Sequence, residues 1–299
     1  MSDLTLKLSP QISKLCSRSF LITGSARSGT TILGKLMHSM KSIEYAFEPP
    51  MLVSMFSSIN VIPEKIWKFL FETYIYEDFL IPSIAGRNLN FNKNDDSSIY
   101  RVRTEKDIND RLHKSWRKYE LEKNAEKSRI AFKLPSILPY LIKFQKYYQN
   151  VDIIIVKREP VEIINSIFNK HWFTNKSLQT TSVIWPNTIH KDMKIPFWVD
   201  PEDFDKWHVM SEIDRCAYYV IRQHSFIPHI EKHIKVEYHE LLDNPQQVAE
   251  NLTLSLNLEF GPKTKDILST IRSQSPKQNL EHISRISPEL KNKLDALDM

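Results

Sequence analysis

Cysteine is scarce in this chain: Cys16 and Cys216 stand far apart in 299 residues. A disulfide framework or a thiolate metal site needs more thiols at closer spacing. Both are therefore expected to be free thiols of a reducing compartment, and the protein is expected in the cytoplasm. No run reaches the roughly 18–20 apolar residues that span a bilayer. Residues 1–14 lack the basic head and apolar stretch of a secretory leader. No strong excess of one charge exists either: 41 basic against 36 acidic residues leave +5. That suits an anionic ligand but is too little to argue for nucleic acid, and no basic tail occurs. His229 and His233 stand four apart, but the acid between them is Glu231, so the H-E-x-x-H pattern fails and no metal is expected. Glycine is rare as well: of five, Gly24 and Gly29 fall in one short stretch, a placement that favours a backbone working against a ligand.

That stretch organises the rest. Phe20 to Ile22 reads as a buried strand, a small-residue loop follows, and Ile32, Leu33, Leu36, Met37 and Met40 give a helix its apolar stripe. Strand, tight loop and helix start form the layout in which backbone N–H groups converge on a phosphate. The spacing fits G-x-x-x-x-G-K-[ST] through Gly24, Gly29 and Thr31, but Thr30 stands where the lysine belongs. That lysine reaches the outer phosphates of a triphosphate. Here the loop's cation is Arg27, so the loop can hold a phosphate but lacks the usual means of transferring one.

Further strands are expected at 42–47, 129–133, 151–156 and 234–238. The β-branched run at 151–156 implies burial on both faces and a central parallel position. Helices are expected at 63–80, with Ile66, Phe69, Leu70 and Thr73 inward, at 107–128 as an exposed charged helix, and at 136–148. Others follow from Pro160, over 203–232 with a break near Pro228, at 245–256 and at 288–297. Residues 88–98 read as irregular. Glu48-Pro49-Pro50 ends the second strand in an extended exit, which leaves Glu48 at a carboxyl edge where such sheets bind ligands. Residues 171–207 hold Trp172, Trp185, Trp198 and Trp207. They read as a cover over that edge that lines an acceptor site, or as aromatics that pack the insertion together. The predicted class is α/β: a doubly wound, mostly parallel central sheet with a P-loop-like phosphate loop, helices on both faces and a long insertion over the active-site edge. One domain is expected over 1–299, with insertions at about 85–128 and 171–205.

A P-loop enzyme that uses magnesium needs an acid at the end of a buried strand. The strand at 151–156 ends in Lys157-Arg158, which fits a ligand bringing extra negative charge and no metal. Ser166 lies two helical turns past Arg158, so the two can face one phosphate, and arginine's planar fork suits that oxyanion.

The segment Gly24-Ser25-Ala26-Arg27-Ser28-Gly29-Thr30-Thr31 resembles the 5′-phosphosulfate loop of the sulfotransferase family. Residues 151–168, with Arg158 and Ser166, resemble that family's 3′-phosphate element. The resemblance implies 3′-phosphoadenosine 5′-phosphosulfate (PAPS) as donor, adenosine 3′,5′-bisphosphate as product, no metal, and a hydroxyl-bearing acceptor. Arg27, Ser28, Gly29, Thr30, Thr31, Arg158, Ser166 and Tyr238 are its implied donor-binding residues. Glu48 is placed like the general base of the tyrosylprotein and carbohydrate branches. Lys133, before Leu134-Pro135, occupies a strand-end position near the transferring sulfonate, where cytosolic small-molecule enzymes have a histidine. That departure argues against their histidine mechanism. Residues 272–277 fall roughly where a basic loop closes over the donor.

Glu48, Lys133 and Arg27 are thus the catalytic candidates: Glu48 takes the acceptor's proton while the two cations stabilise developing charge. The alternatives are a carboxylate merely paired with a cation such as Arg27, a snorkelling Lys133 and a core Tyr238. Competing functions are a P-loop phosphotransferase, or a nucleotide-binding module without catalysis. The acceptor is left open among small molecules, glycans and peptides, with the glutamate-type site leaning by analogy towards sugar, peptidyl or other alcohol-like hydroxyls over the phenols of the histidine type.

Overall fold

The computed structural model describes residues 6, 8–95, 97–180, 186–271 and 281–298. Seven strands are β1 (Phe20–Thr23), β2 (Ile43–Phe47), β3 (Arg129–Lys133), β4 (Asp152–Lys157), β5 (Asn187–His190), β6 (Met193–Pro196) and β7 (Ile234–Glu237). Five build one sheet in the order β2-β3-β1-β4-β7, with every pairing parallel. β5 and β6 form a separate antiparallel hairpin.

Strand sequence explains the layering. Along β4, Ile153 and Ile155 enter one core while Ile154 and Val156 enter the opposite one. β1 divides the same way, Leu21 to the first core and Phe20 and Ile22 to the second. Each such side chain stabilises by about 1.5–3 kcal/mol when fully buried, so both faces require helices. The first face takes Pro50–Ser57, Glu64–Thr73 and Leu141–Tyr147; the second takes Thr30–Ser39, Glu105–His113 and Pro245–Leu256. A third core joins Pro160–Phe168 and Glu212–His224 to the β5–β6 hairpin, and Ala26 of the phosphate loop reaches it. β1 lies between β3 and β4, where the chain switches direction across the sheet, and a crevice opens at the carboxyl ends of such strands. The expected α/β class, parallel sheet and helices on both faces are what the fold shows.

Several local expectations are corrected. The exit at Glu48-Pro49-Pro50 is extended only at Pro49: Glu48 turns through the left-handed region (φ 43°), and Pro50 opens a helix at its favoured first position, Pro50–Ser57. Within Glu64–Thr73 the fully buried apolar residues are Trp67 and Phe71; Leu70 packs against the same core as expected, while Ile66 is exposed. The helix continues as a π-helix, Tyr74–Leu80. The charged helix expected at 107–128 is two helices, Glu105–His113 and Lys118–Lys127. It is no mere solvated face: Arg111 meets buried Glu44 at 2.9 Å, and just before the first helix buried Arg103 donates to the carbonyls of Met40 and Ile43. The helix expected over 203–232 breaks at Met210 and Ser211, between Phe204–Val209 and Glu212–His224. Trp198 and Trp207 are fully buried in the third core, which favours packing for those two. Trp185 and residues 272–277 lie outside the described residues. Both cysteines are buried and free. Among the described residues no helix is long and apolar enough to cross a membrane.

Candidate active site

The phosphate loop turns through three left-handed residues, Gly24 (φ 145°), Arg27 (φ 70°) and Gly29 (φ 101°). Gly29 is the N-cap of Thr30–Ser39, and no side chain caps that helix, so its positive end faces the crevice. The glycine is required twice over. Its φ strains any L side chain, and a Cβ there would lie 2.5 Å from Tyr238 Cδ2. Gly24 is equally confined, since a Cβ would lie 2.6 Å from the Val156 carbonyl. The Ala26 N–H donates to the Tyr219 hydroxyl at 2.6 Å, which also meets Ser136 Oγ at 2.6 Å. The Ser28 N–H donates to the Ser25 carbonyl at 3.2 Å. It is therefore engaged within the loop rather than free for a phosphate. Its hydroxyl is different: Ser28 Oγ is buried with no hydrogen-bond partner.

A lysine from outside the loop reaches it. Lys133, at the end of β3, is 2% exposed and donates to Thr31 Oγ1 at 2.9 Å. The same ammonium pairs with Glu48 Oε1 at 2.6 Å and lies 4.1 Å from the Phe47 ring centroid. Burial pushes Lys133 below the usual lysine range, and the Glu48 carboxylate pulls it back up. Glu48 is held in the left-handed region (φ 43°), and its N–H extends the β2–β3 ladder by donating to the Lys133 carbonyl at 3.0 Å. Strained backbone at such an edge persists only where its surroundings enforce it. Glu48 is thus paired with Lys133 rather than Arg27, and Lys133 is buried rather than snorkelling.

Arg158, just past β4, donates from Nη1 to the Arg27 carbonyl at 2.8 Å and from Nε to Glu162 at 2.9 Å. Its guanidinium lies 4.3 Å from the Tyr238 ring centroid. Ser166 behaves differently from expectation: its hydroxyl accepts from Arg27 Nε at 3.0 Å rather than standing with Arg158. Tyr238 is the first residue of Tyr238–Asp243, not the last of β7, and that helical start lays its ring against Gly29 and Arg158. All the sequence-predicted residues therefore fall into two adjoining groups: Glu48, Lys133, Thr31 and the rest of the loop on one side, and Arg27, Arg158, Ser166 and Tyr238 on the other. Sequence reasoning missed Glu162 and Tyr219; Trp172, named there among the aromatics of the cover, has its ring centroid 5.8 Å from Arg27. Glu162 had a readable signal, since it stands one helical turn from Arg158. Tyr219 had none.

A model of the sulfotransferase family matches residues 19–262, a span that takes in every strand and both groups. The chain belongs to the sulfotransferase family. Among solved structures it is similar to a sulfotransferase from Alicyclobacillus acidocaldarius, at 20% identity over 93% of this chain and 94% of that one, TM-score 0.41. STF1 from Mycobacterium tuberculosis shares 13% over 98% and 80%, TM-score 0.47. The sulfotransferase domain of the curacin biosynthetic pathway shares 13% over 94% and 97%, TM-score 0.45. No curated protein matches this sulfotransferase in sequence. Sulfotransferases generally draw their sulfonate from PAPS, and the phosphate loop has features that fit such an anion. Ser28 Oγ is buried and unpartnered, the helix start is uncapped, and Lys133 and Arg27 supply cations beside it. Among the described residues no group of three potential metal ligands occurs.

Proposed function

We propose that this sulfotransferase moves a sulfonate from PAPS to the hydroxyl of its acceptor, with Glu48 as general base. The observation that carries the reading is the contact chain from Glu48 through Lys133 to Thr31. It sets a carboxylate and an ammonium together against the phosphate loop. Glu48 receives the proton as the acceptor oxygen forms its bond to sulfur. The bond from sulfur to the bridging phosphate oxygen breaks, and its electron pair leaves on the 5′-phosphate. Lys133 and Arg27 offset negative charge on the sulfonate and leaving oxygens, a role worth roughly 10²–10³ in rate for one well-placed donor. The loop from Ser28 to Thr31 holds the 5′-phosphate through the helix start and the Ser28 hydroxyl, with Gly29 and Thr30 in that first turn. Arg158, Ser166 and Tyr238 hold the 3′-phosphate side, Ser166 through Arg27.

The test is a thermal-shift comparison of adenosine 3′,5′-bisphosphate, ADP and ATP, with and without magnesium. A ligand that binds only the native state raises the melting temperature by mass action. The bisphosphate is expected to stabilise most, with no help from magnesium. Preference for magnesium-ATP would refute the donor assignment.

A further inference from the structure

A cavity of about 300 Å³ lies beside the edge strand β2, bordering the candidate base without containing it. Phe47 and Pro49, the two neighbours of Glu48, both line it. Phe47 joins the two places physically. Lys133's ammonium sits 4.1 Å from its ring centroid, yet the residue is 46% exposed. Tyr45 stands beside it on the same strand.

Tyr74 and Phe79, both on the π-helix Tyr74–Leu80, line the cavity too. Seven residues of π-helix are unusual, because the wide turn packs poorly and recurs mainly at functional sites. Asn88 and Asn90 add carboxamides. The Asn88 amide donates to the Asp78 carbonyl at 2.8 Å and the Asn90 amide to Ser97 Oγ at 2.7 Å, while the Asn90 oxygen accepts from the Asn92 N–H, which leaves the Asn88 oxygen as the carboxamide group without a partner among the described residues. Among the described residues no lysine or arginine lines the cavity. The one carboxylate in the wall, Glu44, is already neutralised, with Arg111 at 2.9 Å from Oε1 and 3.0 Å from Oε2. Burial and the nearby Arg103 and Arg111 hold the wall's His38 well below the usual imidazole range, so it too is uncharged.

Four aromatic side chains, carboxamides and no unpaired charge select a ligand by ring contact and neutral hydrogen bonds. The volume lies at the bottom of the range for ligand pockets, which suits one ring rather than an oligosaccharide or a peptide. We infer that this cavity seats the acceptor, and that the acceptor is a small uncharged alcohol or phenol on a single ring. The inference rests on sulfonate transfer at Glu48. It adds the acceptor class, with Phe47 guiding the hydroxyl toward the carboxylate.

The experiment uses the full chain loaded with adenosine 3′,5′-bisphosphate, titrated calorimetrically with matched probes: 4-methylphenol, cyclohexanol and the carboxylated counterpart 4-hydroxybenzoate. The uncharged probes are expected to bind at least tenfold more tightly, since a carboxylate would enter an apolar wall with no partner. Phe79→Ala should weaken 4-methylphenol roughly tenfold by removing a ring contact. Asn88→Lys, at an exposed position that folding tolerates, should narrow or invert the preference against 4-hydroxybenzoate. Neither should change affinity for the bisphosphate. Equal or tighter binding of 4-hydroxybenzoate, or variants that leave all probes unaffected, would overturn the acceptor class while leaving the donor site intact. Failure to bind the bisphosphate would instead overturn the sulfonate-transfer reading, and this inference with it.

Discussion

Replacing Glu48 by Gln keeps the side chain's shape and removes its charge. Lys133 then faces a neutral amide oxygen in place of its 2.6 Å carboxylate partner and keeps Thr31 Oγ1 at 2.9 Å and the Phe47 ring. Removing one member of a buried pair costs about 3–5 kcal/mol, and the figure falls where one partner reaches solvent. The Glu48 side chain is 25% exposed, so a stability loss of about 1–3 kcal/mol is expected. The pH dependence has a definite sign. Lys133 already sits below its unfolded value of 10.5, and the variant removes the group that pulls it back up. Its destabilisation is therefore greatest near neutral pH, where the parent's carboxylate and ammonium are both charged, and shrinks as pH rises toward 10.5, where the ammonium sheds its proton. Turnover should fall by roughly 10²–10⁴ for loss of a general base, with bisphosphate affinity unchanged. Single-turnover kinetics and urea melts, run with Lys133→Met and the double variant, separate these effects. A coupling energy of roughly 0.5–3 kcal/mol marks a working pair. Turnover within threefold of the parent for Glu48→Gln, or strict additivity of the two changes, would refute the reasoning.

Gly29→Ala should lower bisphosphate affinity at least tenfold and cost roughly 1–3 kcal/mol of stability, because its Cβ collides with Tyr238; calorimetric titration checks the first and urea melts the second. Arg111→Met strands the Glu44 carboxylate, whose side chain is 4% exposed, so a loss of about 3–5 kcal/mol is expected; a urea midpoint within error of the parent would contradict that. His224 is held down to about 4 by burial, with Lys157 adding to the effect. Its contribution is complete above its unfolded value of 6.5 and lost as pH falls toward 4, about 3 kcal/mol in all. A His224→Leu variant should show a flatter stability profile across that window in paired melts.

The strand at β4 and the phosphate loop were legible because each depends on local pattern, a doubly buried β-branched run and two glycines set to turn the chain. The β5–β6 hairpin was not legible. Its turn uses Lys191 and Asp192, both at positive φ (48° and 60°), where no glycine or asparagine announces it. The Glu44–Arg111 pair was hidden by sequence distance, so a charge run that looked solvated carried a buried partner. Glu48 and Lys133 were each nameable as strand-end residues. Their pairing needed the register that sets Phe47 opposite Lys133, which nothing in either segment declares.

Because the Lys133 ammonium is delivered from a strand, not from the loop it serves, cation and carboxylate ride on neighbouring rungs of one ladder, joined again through the Glu48 N–H. Breathing of the phosphate loop cannot pull the two apart. Alignment at this edge is inherited from strand pairing, which leaves the surrounding segments free to diverge in shape without retuning it.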